Sequence, residues 1–247
     1  MILSKKVALI TGGTHGIGAE TAIHLAKEGT NLCLVARNAP DAAFIGQLLA
    51  CNVKCHFISA DLSVAKECLR VVEETKRILG GIDILVHAAG SAAPGSLLEG
   101  SEKAWFDAFD IHIHAAYLLC RSAVPLMVQK KEGAIVFVSS AAGKRGVKNA
   151  LAYATVKGAL PQFTRALAFE LAPGNIRVNC VAPGVIRTRF QDYLTAEQSK
   201  NNIENRIPLA REGTPDDVAA VICMLIKNEF ITGETISVDG GMTMRIV

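Results

Sequence analysis

The stretch Val7-Ala8-Leu9-Ile10-Thr11-Gly12-Gly13-Thr14-His15-Gly16-Ile17-Gly18 runs from an apolar segment through a glycine-rich turn into an amphipathic pattern near 17–28. Apolar side chains at consecutive positions suit a strand covered on both faces. Glycines in the following turn let the backbone approach a pyrophosphate, and the free N–H groups and dipole of the helix start favour an anion there. Outward from this unit the alternation continues. Residues 7–11, 31–36, 54–59, 82–87, 134–139, 177–182 and 234–238 read as strands, with helical patterns near 17–28, 41–50, 64–79, 102–130, 151–171 and 215–227. Strand and helix alternating over the whole length predict an α/β fold with a parallel sheet and right-handed crossovers. Ser63 is the expected cap of the third helix, and Thr214-Pro215-Asp216-Asp217 starts the last with a cap residue, proline and acids. Only 184–213 interrupts the alternation. It is polar and strandless, as expected of a lid or binding loop.

The chain has 247 residues, 50% of them apolar or aromatic and 20% charged, which suffices for one packed domain spanning 1–247. A mean hydropathy of +0.31 with net charge +3 excludes a disordered chain. The 21 Gly and 8 Pro follow no period, which excludes a collagenous one. No uninterrupted apolar run approaches the ~18 residues of a membrane span. The first residues, Met-Ile-Leu-Ser-Lys-Lys, lack a signal-peptide pattern, so a soluble cytoplasmic protein is expected. Seven cysteines form no Cys-x-x-Cys, and Cys51, Cys55 and His56 lack further ligands at zinc spacing. Buried reduced thiols and no metal site are the expectation. Charge is uneven: Lys144, Arg145, Lys148, Lys157, Arg165, Arg177, Arg187 and Arg189 face Glu170 alone within 133–191. That local excess, in a chain balanced over 1–132 and acidic over 192–247, does not point to nucleic acid.

Three further places carry chemistry. About 20 residues beyond the glycine turn, the end of the second strand should hold an acid for the ribose of NAD or a base for the 2′-phosphate of NADP. The sequence there is Val35-Ala36-Arg37-Asn38, with alanine at the acid position and then arginine, whose planar fork suits phosphate or plain solvent exposure. Tyr153 and Lys157 stand four apart within a helix, hence on one face, where a cation favours the phenolate and lets tyrosine act as acid or base. Ser140 ends the fifth strand, and the carboxyl ends of parallel strands are where such sheets bind ligands.

Together these pieces resemble the short-chain dehydrogenase/reductase family over essentially the whole chain. The resemblance rests on the Thr-Gly-x-x-x-Gly-x-Gly turn, Asp61-Leu62, Ala89-Gly90, Ser140, Tyr153/Lys157, Asn179, Pro183-Gly184, Thr188 and Val238-Asp239-Gly240-Gly241, in the family's order and spacing. It implies a single Rossmann-like, doubly wound domain with a seven-stranded parallel sheet in the order 3-2-1-4-5-6-7 and helices on both faces. It further implies Tyr153 as catalytic acid/base, Ser140 as the donor to the substrate oxygen, and Lys157 as the group that lowers the tyrosine pKa and holds the nicotinamide ribose. Gly12, Thr14, His15, Gly16, Ile17 and Gly18 would cradle the dinucleotide, with Arg37, Asp61 and Leu62 at its adenosine end. Ala89 and Gly90 would lie along it, and Pro183, Gly184, Ile186 and Thr188 would hold the nicotinamide. NADP(H) is favoured, with NAD(H) the alternative, and a homotetramer pairing through 102–130 and 151–171 is implied.

Two positions depart from the family. His87-Ala88 replace its paired asparagines, a change expected to have little functional effect, and His112 stands where its catalytic asparagine aligns. Histidine could offer its backbone carbonyl there, relay protons itself, or have lost the relay. The expected activity is hydride transfer between NADP(H) and a small-molecule carbonyl or secondary alcohol, resembling a 3-oxoacyl-thioester or small-ketone reductase. An NAD-dependent sugar or alcohol dehydrogenase is the alternative, and a catalytically silent dinucleotide sensor the rival from another class. Lys144, Arg145, Lys148, Arg187 and Arg189 are expected at the site's mouth, drawing in an anionic substrate.

Overall fold

The computed structural model describes residues 1–188 and 195–244. Its strands are apolar at consecutive positions because each feeds two cores. β1 (Val7–Thr11) sends Leu9 to one face of the sheet and Ala8 and Ile10 to the other. β2 (Asn31–Ala36) divides Cys33 and Val35 from Leu32 and Leu34 in the same way. With β3 (Cys55–Ser59), β4 (Ile84–His87), β5 (Gly133–Val138), β6 (Ile176–Pro183) and β7 (Thr235–Val238) they form one parallel sheet in the order β3-β2-β1-β4-β5-β6-β7. The expected topology is therefore the one observed.

One face carries α3 (Ala65–Leu79), α5 (Ala115–Lys130) and α6 (Leu151–Leu171), and the other α1 (Gly16–Lys27), α2 (Ala42–Leu49) and α8 (Pro215–Lys227). Successive strands run outward from β1 in one direction and from β4 in the other, so a crevice opens where their carboxyl ends part.

Several local expectations are corrected. β4 begins at Ile84, because the carboxylate of the preceding Asp83 accepts from the Val7 N–H at 2.9 Å and the Lys130 ammonium at 2.6 Å. Ser63 does not cap α3: its hydroxyl donates to Asp61 at 2.7 Å, and Val64 precedes the helix without a side-chain cap. The Thr214/Asp217 capping box of α8 forms as read. The 184–213 segment is not wholly irregular, since α7 (Ala196–Asn201) starts on a Thr195/Gln198 capping box and continues into a π turn, Asn202–Arg206.

The 102–130 helix also divides, into α4 (Glu102–Phe109), a π turn (Asp110–His114) and α5. By length and composition this stretch is apolar enough to cross a membrane, contrary to the reading of apolar runs. Its residues Ala115, Leu119, Ala123 and Met127 are instead buried in the core it shares with α3.

The π turn has an identifiable partner. The Nε2 of His87 lies 3.1 Å from the carbonyl of Ile111 inside that turn. Its Nδ1 lies 2.8 Å from the Thr11 hydroxyl, which in turn accepts from the Ala89 N–H at 3.2 Å. For a neutral ring only one proton arrangement satisfies all three bonds. Ala89 N–H donates to Thr11, Thr11 O–H to Nδ1, and Nε2–H to Ile111. The ring is neutral at pH 7 because burial, aided by the Lys157 charge, lowers its pKa from 6.5 to about 4. His87 thus ties β1 and β4 to the break in the 102–130 helix, a larger role than contacts behind the sheet. Because its folded-state pKa is depressed, the stability it contributes is present above pH 6.5 and is lost as pH falls toward 4. Between pH 7 and 5 the parent should lose about 2 kcal/mol more unfolding free energy than His87→Asn, measured by urea denaturation.

Candidate active site

At the carboxyl ends of the strands lies a cavity of about 1020 Å³. Every catalytic and cofactor-binding residue proposed from the sequence lines it, from Arg37 after β2 and Asp61 and Leu62 after β3 to Ser140 after β5 and Pro183 ending β6. The glycine turn forms one wall. Gly12 has φ +64°, and a Cβ there would sit 2.8 Å from the Ala89 nitrogen. A Cβ on Gly18 would sit 2.2 Å from the Gly12 carbonyl oxygen, so α1 packs directly on the turn. His15, at the helix start, places no side-chain cap on the first N–H groups, which leaves them for an anion. Thr188 faces this wall, its Cγ2 3.1 Å from where a Gly16 Cβ would be. A dinucleotide phosphate fits this cradle.

The opposite end is built where β5 meets α6. Ser139 donates its hydroxyl to the Lys157 carbonyl at 2.6 Å, and the Lys157 ammonium donates to the Val138 carbonyl at 2.7 Å. The short turn Ala141–Gly143 then lies flat on α6, where a Cβ on Gly143 would meet the Lys157 carbonyl at 2.5 Å. These ties set Ser140 against the helix that carries Tyr153 and Lys157. The Ser140 oxygen accepts from the Ala142 N–H at 3.2 Å, which leaves its own proton free to point elsewhere. The Lys157 nitrogen lies 5.6 Å from the centre of the Tyr153 ring, and burial pushes its pKa down from 10.5 to about 8.

His112 sits in the π turn and is only 1% exposed. Its ring meets Tyr153 edge-on, with centroids 6.0 Å apart. The Nε2 lies within hydrogen-bonding distance of both the carbonyl (3.1 Å) and the N–H (3.3 Å) of Ser91. A Cβ on Gly90 would fall 2.2 Å from its Cε1, so the imidazole fills the space that glycine leaves. Burial and the Lys157 charge hold it far below the usual histidine range, hence neutral. His114, two residues on, is exposed and pairs with Asp110 at 2.8 Å.

The expected cluster of five cations at the mouth does not assemble. Lys144 donates to Ser237 at 2.6 Å, Arg187 pairs with Glu212 at 3.3 Å, and neither they nor the exposed Lys148 line the cavity. Arg189 lies outside the described residues. Of these five, among the described residues, only Arg145 lines the cavity, with its guanidinium on the Thr243 carbonyl. Arg177 is buried, donating to the Leu225 and Ile226 carbonyls at the end of α8. The sequence reading missed Arg206, Asn202, Thr243 and Ser139 of the cavity wall, and Gly143 behind it. Arg206 belongs to a helix in a segment that reads as loop, and a serine before Ser140 carries no local signal.

Residues 12–243 match the family model described as enoyl-(acyl carrier protein) reductase. The chain is 35% identical over 244 residues to the 3-oxoacyl-(acyl-carrier-protein) reductase FabG of Aquifex aeolicus, covering 97% of this chain and 98% of that one. It is equally 35% identical over 254 residues to dehydrogenase/reductase SDR family member 4 of Homo sapiens, covering 99% of this chain and 90% of that one. Among solved structures it is similar to levodione reductase, with a TM-score of 0.92 at 25% identity over 98% of each chain. A glycine-cradled dinucleotide wall facing a serine–tyrosine–lysine wall, with these relatives along the whole chain, places the protein in the short-chain dehydrogenase/reductase family, as an NAD(P)-dependent oxidoreductase of CH–OH and C=O groups.

Proposed function

We propose that this chain is an NADP(H)-dependent carbonyl reductase, acting in reverse as a secondary-alcohol dehydrogenase. One observation carries the reading: Ser140, Tyr153 and Lys157 share one wall of a cavity whose other end holds the glycine turn and Arg37. Bound NADPH supplies the hydride that the carbonyl carbon receives. Ser140, its oxygen already engaged by the Ala142 N–H, turns its proton to the substrate's carbonyl oxygen. Tyr153 delivers its phenolic proton to that same oxygen as negative charge develops, and the Lys157 ammonium offsets the phenolate left behind. One Lys157 N–H goes to Val138, leaving two for the nicotinamide ribose and a resupplying water. His112, engaged with Ser91 and seated on Gly90, positions this wall.

Arg37 is exposed at the adenosine end and, with Ala36 in place of an acid, supports NADP(H) over NAD(H). Within 184–213, Ile186, Thr188 and the 202–206 turn cover the substrate. Phe106, Tyr117 and Phe169 are exposed on the α4–α5 and α6 helices, Phe169 by 88%, which supports a homotetramer joined there. Seven free thiols, five of them buried, suit a reducing cytoplasm.

Tyr153→Phe should lower kcat by about 10²- to 10⁴-fold in stopped-flow reduction of any accepted ketone, with NADPH affinity almost unchanged. Arg37→Ala should weaken NADPH binding roughly ten- to a hundredfold and leave NADH within about twofold, read by fluorescence titration. Lys157 supplies a pH test. Its folded-state pKa lies below the ordinary 10.5, so the cost of its buried ammonium is full below pH 8 and fades as pH rises to 10.5. Lys157→Met should gain roughly 3 kcal/mol more relative to the parent at pH 7 than above pH 10.5 by chemical denaturation.

A further inference from the structure

Beyond β6, on the side of the sheet away from Arg37, the cavity wall is made by the 202–206 turn, by Arg145, and by the chain after β7. The segment Asp239–Thr243 is the piece on which the others rest. Asp239 accepts from the Gly241 and Thr243 N–H groups, each at 2.9 Å, and from the Thr243 hydroxyl at 2.6 Å, which closes the turn on itself. Leu209 N–H donates to the Gly240 carbonyl at 3.1 Å, and a Cβ on Gly240 would sit 2.7 Å from the Ile207 Cγ2. That contact fixes the chain immediately after Arg206. From the other side, the Arg145 guanidinium donates to the Thr243 carbonyl through Nε at 3.0 Å and through Nη2. One short turn therefore holds both arginines, and both line the cavity together with Thr243 and Met242.

Their partners are neutral. Arg206 donates from Nη1 to the side-chain oxygen of the buried Asn202 at 2.7 Å, and Arg145 to a backbone carbonyl. Among the described residues neither forms an ion pair, unlike Arg187, Arg211 and Arg70, each of which has a carboxylate within 3.3 Å. An amide or carbonyl partner orients a guanidinium without cancelling its charge, and each guanidinium has five N–H donors. Of the carboxylates lining the cavity, Asp61 lies at the adenosine end and Asp107 is matched by Lys103 at 2.6 Å. Among the described residues the substrate end thus presents two oriented cations without an ion-pair partner, lining the same cavity as Ser140 and Tyr153.

We infer that the substrate is a carbonyl compound bearing an oxyanionic group, a carboxylate or a phosphate, which Arg206 and Arg145 receive while the carbonyl meets Ser140 and Tyr153. The inference rests on the carbonyl-reductase reading above. Levulinate and methyl levulinate are the probes, with dihydroxyacetone phosphate and dihydroxyacetone as the phosphate arm. In Arg206→Gln, kcat/KM for the charged member of a pair should fall at least tenfold through KM, while the neutral member and NADPH affinity stay within twofold. Arg206→Lys should recover part of the loss, since charge persists without the planar fork. The pair that responds tells carboxylate from phosphate. An equal fall for charged and neutral members, no fall for either charged compound, or a loss confined to NADPH binding would overturn the inference. Should no ketone be reduced with either cofactor, the reductase reading fails. The anion site is then read by calorimetric titration of glutarate and of glycerol phosphate into the NADP⁺-loaded protein. At least tenfold weaker binding of one of them to Arg206→Gln sustains it, and equal binding of both to parent and variant refutes it.

Discussion

The end of β5 and the middle of α6 hold each other by reciprocal bonds, and the geometry of the site follows from that tie. The Ser139 side chain bonds the backbone of Lys157, and the Lys157 side chain bonds the backbone of Val138. Both bonds are buried, so neither group can exchange its partner for water without leaving an unsatisfied polar atom behind. Between them the Gly143 backbone lies flat on α6, where a side chain of any size would force the two elements apart. Ser140 is one residue from this clamp and Tyr153 one helical turn from it. Their relative placement is inherited from backbone contacts, with no direct bond between them required.

Charge in the catalytic half is governed by the same burial. His87 and His112 are buried near Lys157, and both remain neutral because desolvation and the ammonium act in the same direction. Among the described residues Lys157 is thereby the one buried side chain there that carries charge at neutral pH, with its pKa pushed down to about 8. A neutral His87 can donate to Ile111 and accept from Thr11, which a protonated ring could not do. The π turn satisfies the same condition from the other side, since a π bulge frees a main-chain carbonyl from the helical ladder. Replacing the family's asparagine by histidine at 87 and at 112 therefore puts two titratable rings where there would be none, and the site keeps them out of titration.

What the sequence disclosed depended on how local the cause was. Two-sided strands, the glycine turn and the Thr214 capping box are local patterns, and they appear where expected. Tyr153, Lys157 and Ser140 were legible because helical spacing and a strand end fix their directions. Lys144 and Arg187 were misread because their partners, Ser237 and Glu212, are distant in sequence. Charge runs in a sequence show where cations lie along the chain, and only the fold shows which of them are already engaged. Arg206 was hidden for a related reason, since α7 and its π turn are too short to leave a periodic signature.

The two halves of the cavity differ in what holds them, and this bears on which half can change. Around the glycine turn and Ser140 the decisive contacts are backbone on backbone: Gly18 on Gly12, Gly12 on Ala89, Gly143 on Lys157. Substitutions that keep these glycines and the Ser139–Lys157 tie leave the geometry of cofactor and proton transfer intact. Around Arg145, Arg206 and the Lys103–Asp107 pair the wall facing the cavity is made of side chains on surface turns and on α4. The Asp239–Thr243 turn anchors that wall through main-chain groups, at Thr243 and Gly240, so the residues it supports can be exchanged without moving the support. A scaffold built this way can keep one reaction while changing what it accepts, because the atoms that react and the atoms that recognise are held by independent sets of contacts.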